Sequence, residues 1–114
     1  MKVALPVWHG RVSPVLDVAA NFLVAEITAG AVGERHVAAL AASGAEERAH
    51  QLAEMGIDVV VCGAVSRHFE FPLRNAGIAV IAHRCGDADQ VLAAYANGLL
   101  SDDAFRMPGC AGRR

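Results

Sequence analysis

The sequence predicts a three-layer α/β/α domain built on a mixed five-stranded sheet of order 3-2-1-4-5, with strand 2 antiparallel. Three observations carry that expectation. Two short apolar runs, residues 57–62 and 78–83, alternate with helical patterns, which is the signature of right-handed parallel crossovers. Earlier in the chain three strand-like runs follow one another with no helix between them, as in an antiparallel meander. The length, 114 residues, fits one domain and leaves no room for a second.

Residues 2–8 read as a buried strand, because Val3, Ala4, Leu5 and Val7 are apolar without a helical period, and Pro6 marks an irregular or edge-type hydrogen-bonding position. Residues 9–17, with Gly10, Ser13 and Pro14, read as a long loop. Residues 21–28 and 35–40 read as antiparallel strands joined by a loop over 29–34, where Gly30 and Gly33 can supply positive φ. Ser43 and Glu46 match a capping box, which opens a helix over 44–55, buried through Ala45, Ala49, Leu52 and Ala53 and stopped at Gly56.

The run 57–62 is the strongest strand signal, β-branched and bounded by glycines, as in a central strand covered on both faces. A helix over 66–77 follows, with Pro72 expected to kink or delay it. Residues 78–83 form the last buried strand, and Asp87, an N-cap with Gln90 three residues on, opens a helix to about residue 97. The domain is expected to span 1–105, with a short turn over 101–105 and a flexible tail over 106–114. This order of elements is that of a ribonuclease H-like motif.

Apolar residues make up 54% of the chain and charged residues 19%, so core burial offsets chain entropy and wholesale disorder is excluded. A formal net charge of -2 gives no global attraction to nucleic acid or anionic membrane, and no apolar run approaches the roughly 20 residues of a membrane span. No signal-peptide pattern opens the chain. A cytoplasmic protein is expected, its three cysteines reduced and open to metal or redox chemistry.

If the apolar runs are parallel strands, their carboxyl ends share one rim, where open α/β sheets bind ligands. His9 ends the first run, Cys62 the fourth, and His83 with Cys85 the fifth. These are soft donors of the kind an iron–sulfur or iron–molybdenum cluster takes. Cys62 stands just before a helix whose first amides, near Ser66, favour a thiolate; the plainer reading is a small apolar residue in a buried strand. His83 and Cys85, two residues apart, share a face only while the chain stays extended. Arg11, Ser13 and Arg67 can hold carboxylate or phosphate groups, or serve only as solvated turn residues. Cys110, with Met107, can fold over a bound cluster or be a spare thiol. His68 reads as surface, and His36 and His50 lie away from the rim. Two-metal nuclease chemistry needs clustered carboxylates; only Asp17 lies near the rim, and Asp58 is at the wrong end of its strand.

The opening Met1-Lys2-Val3-Ala4-Leu5-Pro6-Val7, the loop Gly10-Arg11-Val12-Ser13-Pro14 and the segment Cys62-Gly63-Ala64-Val65-Ser66-Arg67 together resemble the dinitrogenase iron-molybdenum cofactor biosynthesis family. The resemblance spans nearly the whole chain and includes Met107-Pro108-Gly109-Cys110. It implies a ribonuclease H-like fold and a non-enzymatic carrier or accessory protein for an iron–sulfur or iron–molybdenum-type cluster or precursor, working with metallocofactor assembly proteins. Two positions depart from the family pattern: Pro72 inside the second helix, and Leu16, where an aromatic residue is expected. The alternative from a different class is a regulatory or protein-interaction module, a homodimer through an exposed sheet edge, with cysteines that only pack.

Overall fold

A computed structural model describes residues 1–41 and 44–98. In chain order the elements are β1 (Lys2–Trp8), β2 (Arg11–Val12), a 3-10 turn (Leu16–Val18), β3 (Asn21–Thr28), β4 (Ala31–Ala39), α1 (Ala45–Glu54), β5 (Val59–Val61), α2 (Arg67–Asn75), β6 (Ala79–Ile81) and α3 (Ala88–Ala96). The sheet runs β4-β3-β1-β5-β6, with β2 paired to β1 off that path. The five-strand path is the expected one, and β3 is the reversed strand. What the sequence did not announce is the sixth strand, β2.

Two further departures have one cause. The presumed loop over 29–34 is a two-residue turn, Ala29-Gly30, after which β4 begins at once; the presumed loop after β1 likewise opens with a two-residue turn, His9-Gly10. Both central residues of each turn have positive φ: 53° and 78° in the first, 54° and 76° in the second. That is the type I′ geometry whose twist suits a tight hairpin. Neither pair is the Asn-Gly or Asp-Gly that normally advertises it.

The sheet's two faces are buried separately. Ala4, Phe22, Val24, Val60, Cys62 and Val80 pack with Leu52 and Leu73 under α1 and α2, while Val3, Leu5, Leu23, Ile27, Val59 and Val61 pack with Val91 and Leu92 under α3. Strand alternation sorts neighbouring residues into opposite layers. Pro6 is tolerated in this central strand because its carbonyl faces away from β3 and accepts from Ser13 N–H at 2.7 Å. The missing donor lies on that same side, beyond the last β1–β5 pair at Ala4, so no rung to β3 is lost.

The helices follow their caps. Asp87 accepts from Gln90 N–H at 3.1 Å and opens α3 as expected; Ser66 accepts from Phe69 N–H at 3.3 Å and opens α2, which continues through Pro72. Gly44, without a side-chain bond, caps α1, and Ser43 lies outside the described residues. So do Met107 and Cys110 and the expected domain boundary at 105. Among the described residues no helix is long and apolar enough to cross a membrane.

Candidate functional site at the carboxyl rim

β1, β5 and β6 are mutually parallel, and β4 runs the same way because both β1 and β4 are antiparallel to β3. Four strand ends therefore meet at one rim. Since α1 follows β4, α2 follows β5 and α3 follows β6, all three helix N-termini lie there too. Each contributes the positive end of its dipole.

The crevice above β1 and β5 is not open. Residues 10–16 cross it as a strap, held by backbone bonds to the two neighbouring loops: Val12 N–H to Gly86 O at 2.9 Å, Leu16 N–H to Ala64 O at 2.8 Å, Ala64 N–H to Pro14 O at 2.8 Å and Ala88 N–H to Gly10 O at 2.9 Å. Gly63 lies directly beneath. A Cβ there would stand 2.6 Å from Pro14 O and 2.7 Å from Ser13 O, so only glycine permits this approach. His83 N–H donates to Gly63 O at 2.8 Å and Arg84 N–H to Cys62 O at 2.9 Å, which completes the lacing of the three loops.

The predicted site residues meet different fates. Cys62 is fully buried in the core layer under α1 and α2. Burial, followed by the fields of Glu70 and Asp17, pushes its thiol up from 9.0 to about 12, so the expected thiolate is not formed at neutral pH. The helix dipole loses because the sulfur faces the hydrocarbon layer and not the α2 amides. Ser13 is buried and its hydroxyl donates to Val15 O at 3.3 Å, which commits it to the strap and removes it as an anion contact. Ser66 is the α2 cap, and its own N–H donates to Asp17 Oδ1 at 3.1 Å. Asp58, at the far end of β5, accepts from Lys2 N–H at 2.9 Å.

At the surface stand His9, Arg11, Arg67 and His83, with Cys85 half-buried. His9 occupies the turn, its ring edge-on to Trp8 at 4.1 Å between centroids. His83 takes φ 65°, which breaks the extended run that a shared His83–Cys85 face requires. Among the described residues, Arg11 and Arg67 form no ion pair, and no group of three or more His, Cys, Asp or Glu side chains is arranged to hold a metal ion. The expected convergence of Cys62, His83 and Cys85 into one ligand set is thus corrected: the loops converge, but Cys62 faces the core. Cys110 lies outside the described residues.

Three residues of note were not singled out by sequence. Arg84 donates to Ala82 O at 3.1 Å and keeps a buried Nε without a partner. Trp8, 64% exposed, projects beyond the helices that cover Ala4 on the same face of β1. Arg48 is buried in α1 with its guanidinium 6.0 Å from the Phe22 ring centroid, and its Nε and Nη1 have no partner. Desolvation weakens its hold on the proton, which the nearby Asp17 partly restores. Arg48 falls at the apolar helical spacing of α1 with Ala45, Ala49 and Leu52, a signal the sequence offered, whereas Arg84 stands in a polar stretch that gives none.

A family model described as dinitrogenase iron-molybdenum cofactor matches residues 1–98. Among solved structures, the chain is similar to the crystal structure of the protein PH0822, with TM-score 0.82 and 22% identity over 90% of this chain and 96% of that one. It is also similar to a Methanocaldococcus jannaschii protein provisionally named a dinitrogenase (TM-score 0.70, 17% identity, 92% and 96% covered). A third is a Thermotoga protein provisionally named NifB (TM-score 0.66, 20% identity, 86% and 89% covered). At these identities the structures establish the fold alone. No curated protein matches.

Proposed function

Because the chain belongs to the dinitrogenase iron-molybdenum cofactor family, we propose that it is a non-enzymatic accessory protein in metallocofactor assembly. It takes an iron-molybdenum-type cofactor or iron–sulfur precursor as cargo on the carboxyl rim and passes it to assembly proteins. The observation that carries this reading is the gathering of three helix N-termini, Arg11 and Arg67 at one edge of the sheet. Such clusters are negatively charged, and the positive helix ends and forked guanidinium donors match that charge.

The described residues do not fit a closed ligand cage, since no three donors converge and the Cys62 sulfur is protonated in the core. A cargo held here is bound through at most one or two protein ligands, Cys85 or His83, and is supported by charge. Weak, open ligation suits a protein that must surrender what it binds.

Anaerobic loading with a synthetic iron–sulfur cluster, followed by visible absorption and metal analysis after gel filtration, tests the proposal. Wild type and Cys62→Ala should retain cluster, while Cys85→Ala and Arg11→Ala/Arg67→Ala should lose most of it. No retention by wild type sinks the reading, and unchanged retention in a Cys62→Ala/Cys85→Ala/His83→Ala triple variant sinks the assigned site.

A further inference from the structure

We infer that the outer edge of β4 pairs with the same edge of a second copy of this chain, antiparallel about a two-fold axis at Val37. The two ends of the sheet are finished differently. At one end β6 is three residues long. Ala79 N–H donates to Asp58 O at 3.0 Å and Ile81 O accepts from Cys62 N–H at 2.9 Å, so these two residues face β5 and Val80 faces outward. The outward carbonyl of Val80 already accepts from Arg74 Nη2 at 3.1 Å, and Glu70 holds Arg74 Nε at 2.7 Å. That edge is short and capped. At the other end β4 runs nine residues, Ala31–Ala39, and among the described residues no strand lies beyond it. A row of unpaired backbone groups of that length is a template for another strand.

The phase of the β3–β4 ladder decides which groups are free. Leu40 N–H donates to Ala20 O at 3.0 Å, so Leu40 faces β3. Alternation then turns Ala38 and His36 toward β3, opposite Phe22 and Val24, and turns Arg35, Val37 and Ala39 outward. Before Arg35 the register shifts, between Ala25 and Ile27 of β3, so the regular edge is the stretch 35–39 and Val37 is its midpoint. Self-pairing centred on Val37 uses every free group of that stretch. Val37 exchanges both bonds with the partner's Val37, Arg35 pairs with the partner's Ala39, and Ala39 pairs with the partner's Arg35.

The side chains agree with that register. Val37 stands on the α3 face with Leu23, is 62% exposed, and meets the partner's Val37 there. On the other face His36 lies across from the partner's Ala38. Arg35 is drawn back by Asp89 of α3 at 2.6 Å and lies across from an alanine. Moving the axis one residue toward the N-terminus loses the Arg35–Ala39 pairs and sets histidine against histidine; moving it two sets Arg35 against the partner's Arg35, a destabilising like-charge pair. Moving it the other way leaves Arg35 facing past the end of the strand. Hydrogen-bond phase, apolar contact and charge thus name one occupant in one register. A contact one strand wide falls below the roughly 1,200 Å² of a standard interface, so half-association is expected at about 0.1 mM. The paired strands oppose, which leaves both carboxyl rims uncovered. This inference is independent of the cargo reading and is tested on cluster-free protein.

Sedimentation velocity of the full chain from about 5 µM to about 2 mM should show a reversible shift from monomer to dimer. Val37→Pro removes the outward N–H and no bond to β3, and should weaken the dimer at least about tenfold. Val37→Lys and Val37→Glu should each weaken it too. An equimolar mixture of those two should associate about fivefold more tightly than either alone, because residue 37 meets its own copy only at this axis. Far-UV circular dichroism checks each fold, and the Lys and Glu variants carry the test should Val37→Pro unfold. A wild type still monomeric at about 2 mM, a dimer indifferent to Val37→Pro, or a mixture no tighter than its components overturns the proposal.

Discussion

Replacing Gly63 by alanine probes the lacing of the rim at its tightest point. The added Cβ meets Pro14 O at 2.6 Å and Ser13 O at 2.7 Å, and contacts below 3.0 Å do not occur in real structures, so the strap must retreat by at least 0.4 Å (3.0 minus 2.6). Both clashing atoms are backbone, with no side-chain rotamer to absorb the strain. The retreat stretches Ala64 N–H to Pro14 O and Leu16 N–H to Ala64 O, each 2.8 Å long. Overpacking costs about 1–3 kcal/mol and each weakened backbone bond up to about 1, which together predict a loss of about 2–4 kcal/mol. For a domain of this size that is a drop of roughly 10–25 °C in Tm. Gly77→Ala is the control, because Gly77 has φ 85° with nothing within 4 Å of its Cβ, leaving only the left-handed penalty of about 1–2 kcal/mol. Thermal melts and urea titrations by circular dichroism measure both variants, and hydrogen exchange at the Ala64 and Leu16 amides locates the damage. A Gly63→Ala protein within about 1 kcal/mol of wild type, or one less damaged than Gly77→Ala, refutes the reasoning.

The Cys62 thiol, raised from 9.0 to about 12, binds its proton more tightly folded than unfolded; its contribution is whole below pH 9 and lost as pH rises toward 12. Wild type should therefore lose up to about 1.4 kcal/mol per pH unit across that window from this group, and Cys62→Ala should show a visibly shallower alkaline slope in urea midpoints. An identical slope in the two proteins removes the assignment. In native protein at pH 8, iodoacetamide should modify Cys85 far faster than Cys62, read by peptide mass mapping; equal rates contradict the burial of Cys62. Arg48→Met removes a buried guanidinium with two unpartnered nitrogens that lines a void of about 10 Å³, and should raise stability by about 1–2 kcal/mol at unchanged m-value. A loss of stability would mean that Asp17 and Phe22 outweigh the desolvation. Ala29→Asn places a left-handed-tolerant residue at φ 53° before Gly30, and should raise the urea midpoint by the equivalent of about 0.5–1 kcal/mol.

The sheet was legible because its parallel strands are short β-branched runs separated by capped helices, and Asp87 and Ser66 mark helix starts with side chains whose chemistry is visible in sequence. The hairpins were not, since His9 and Ala29 adopt positive φ that neither residue type advertises, and the tertiary pairing of β1 with β2 and of β3 with β4 overrides that local preference. Cys62 was half legible. Its place one residue beyond Val61 in a strand covered on both faces already assigns it, by alternation with Val60, to the layer under α1 and α2. Proximity of strand ends drew attention to the rim, but alternation decides which way a side chain at such an end points. The exposure of Trp8 was hidden for the converse reason: nothing in sequence says that β1 outruns its helical cover.

The strap over the β1–β5 junction also bears on kinetics. Because the crevice between β1 and β5 is filled by main chain laced to two neighbouring loops, a visitor at that junction must perch on the outer skin of the strap. Capture and relinquishment there need no door to swing, so exchange would be paced by encounter between proteins and by how firmly the perch grips, not by the breathing of the fold.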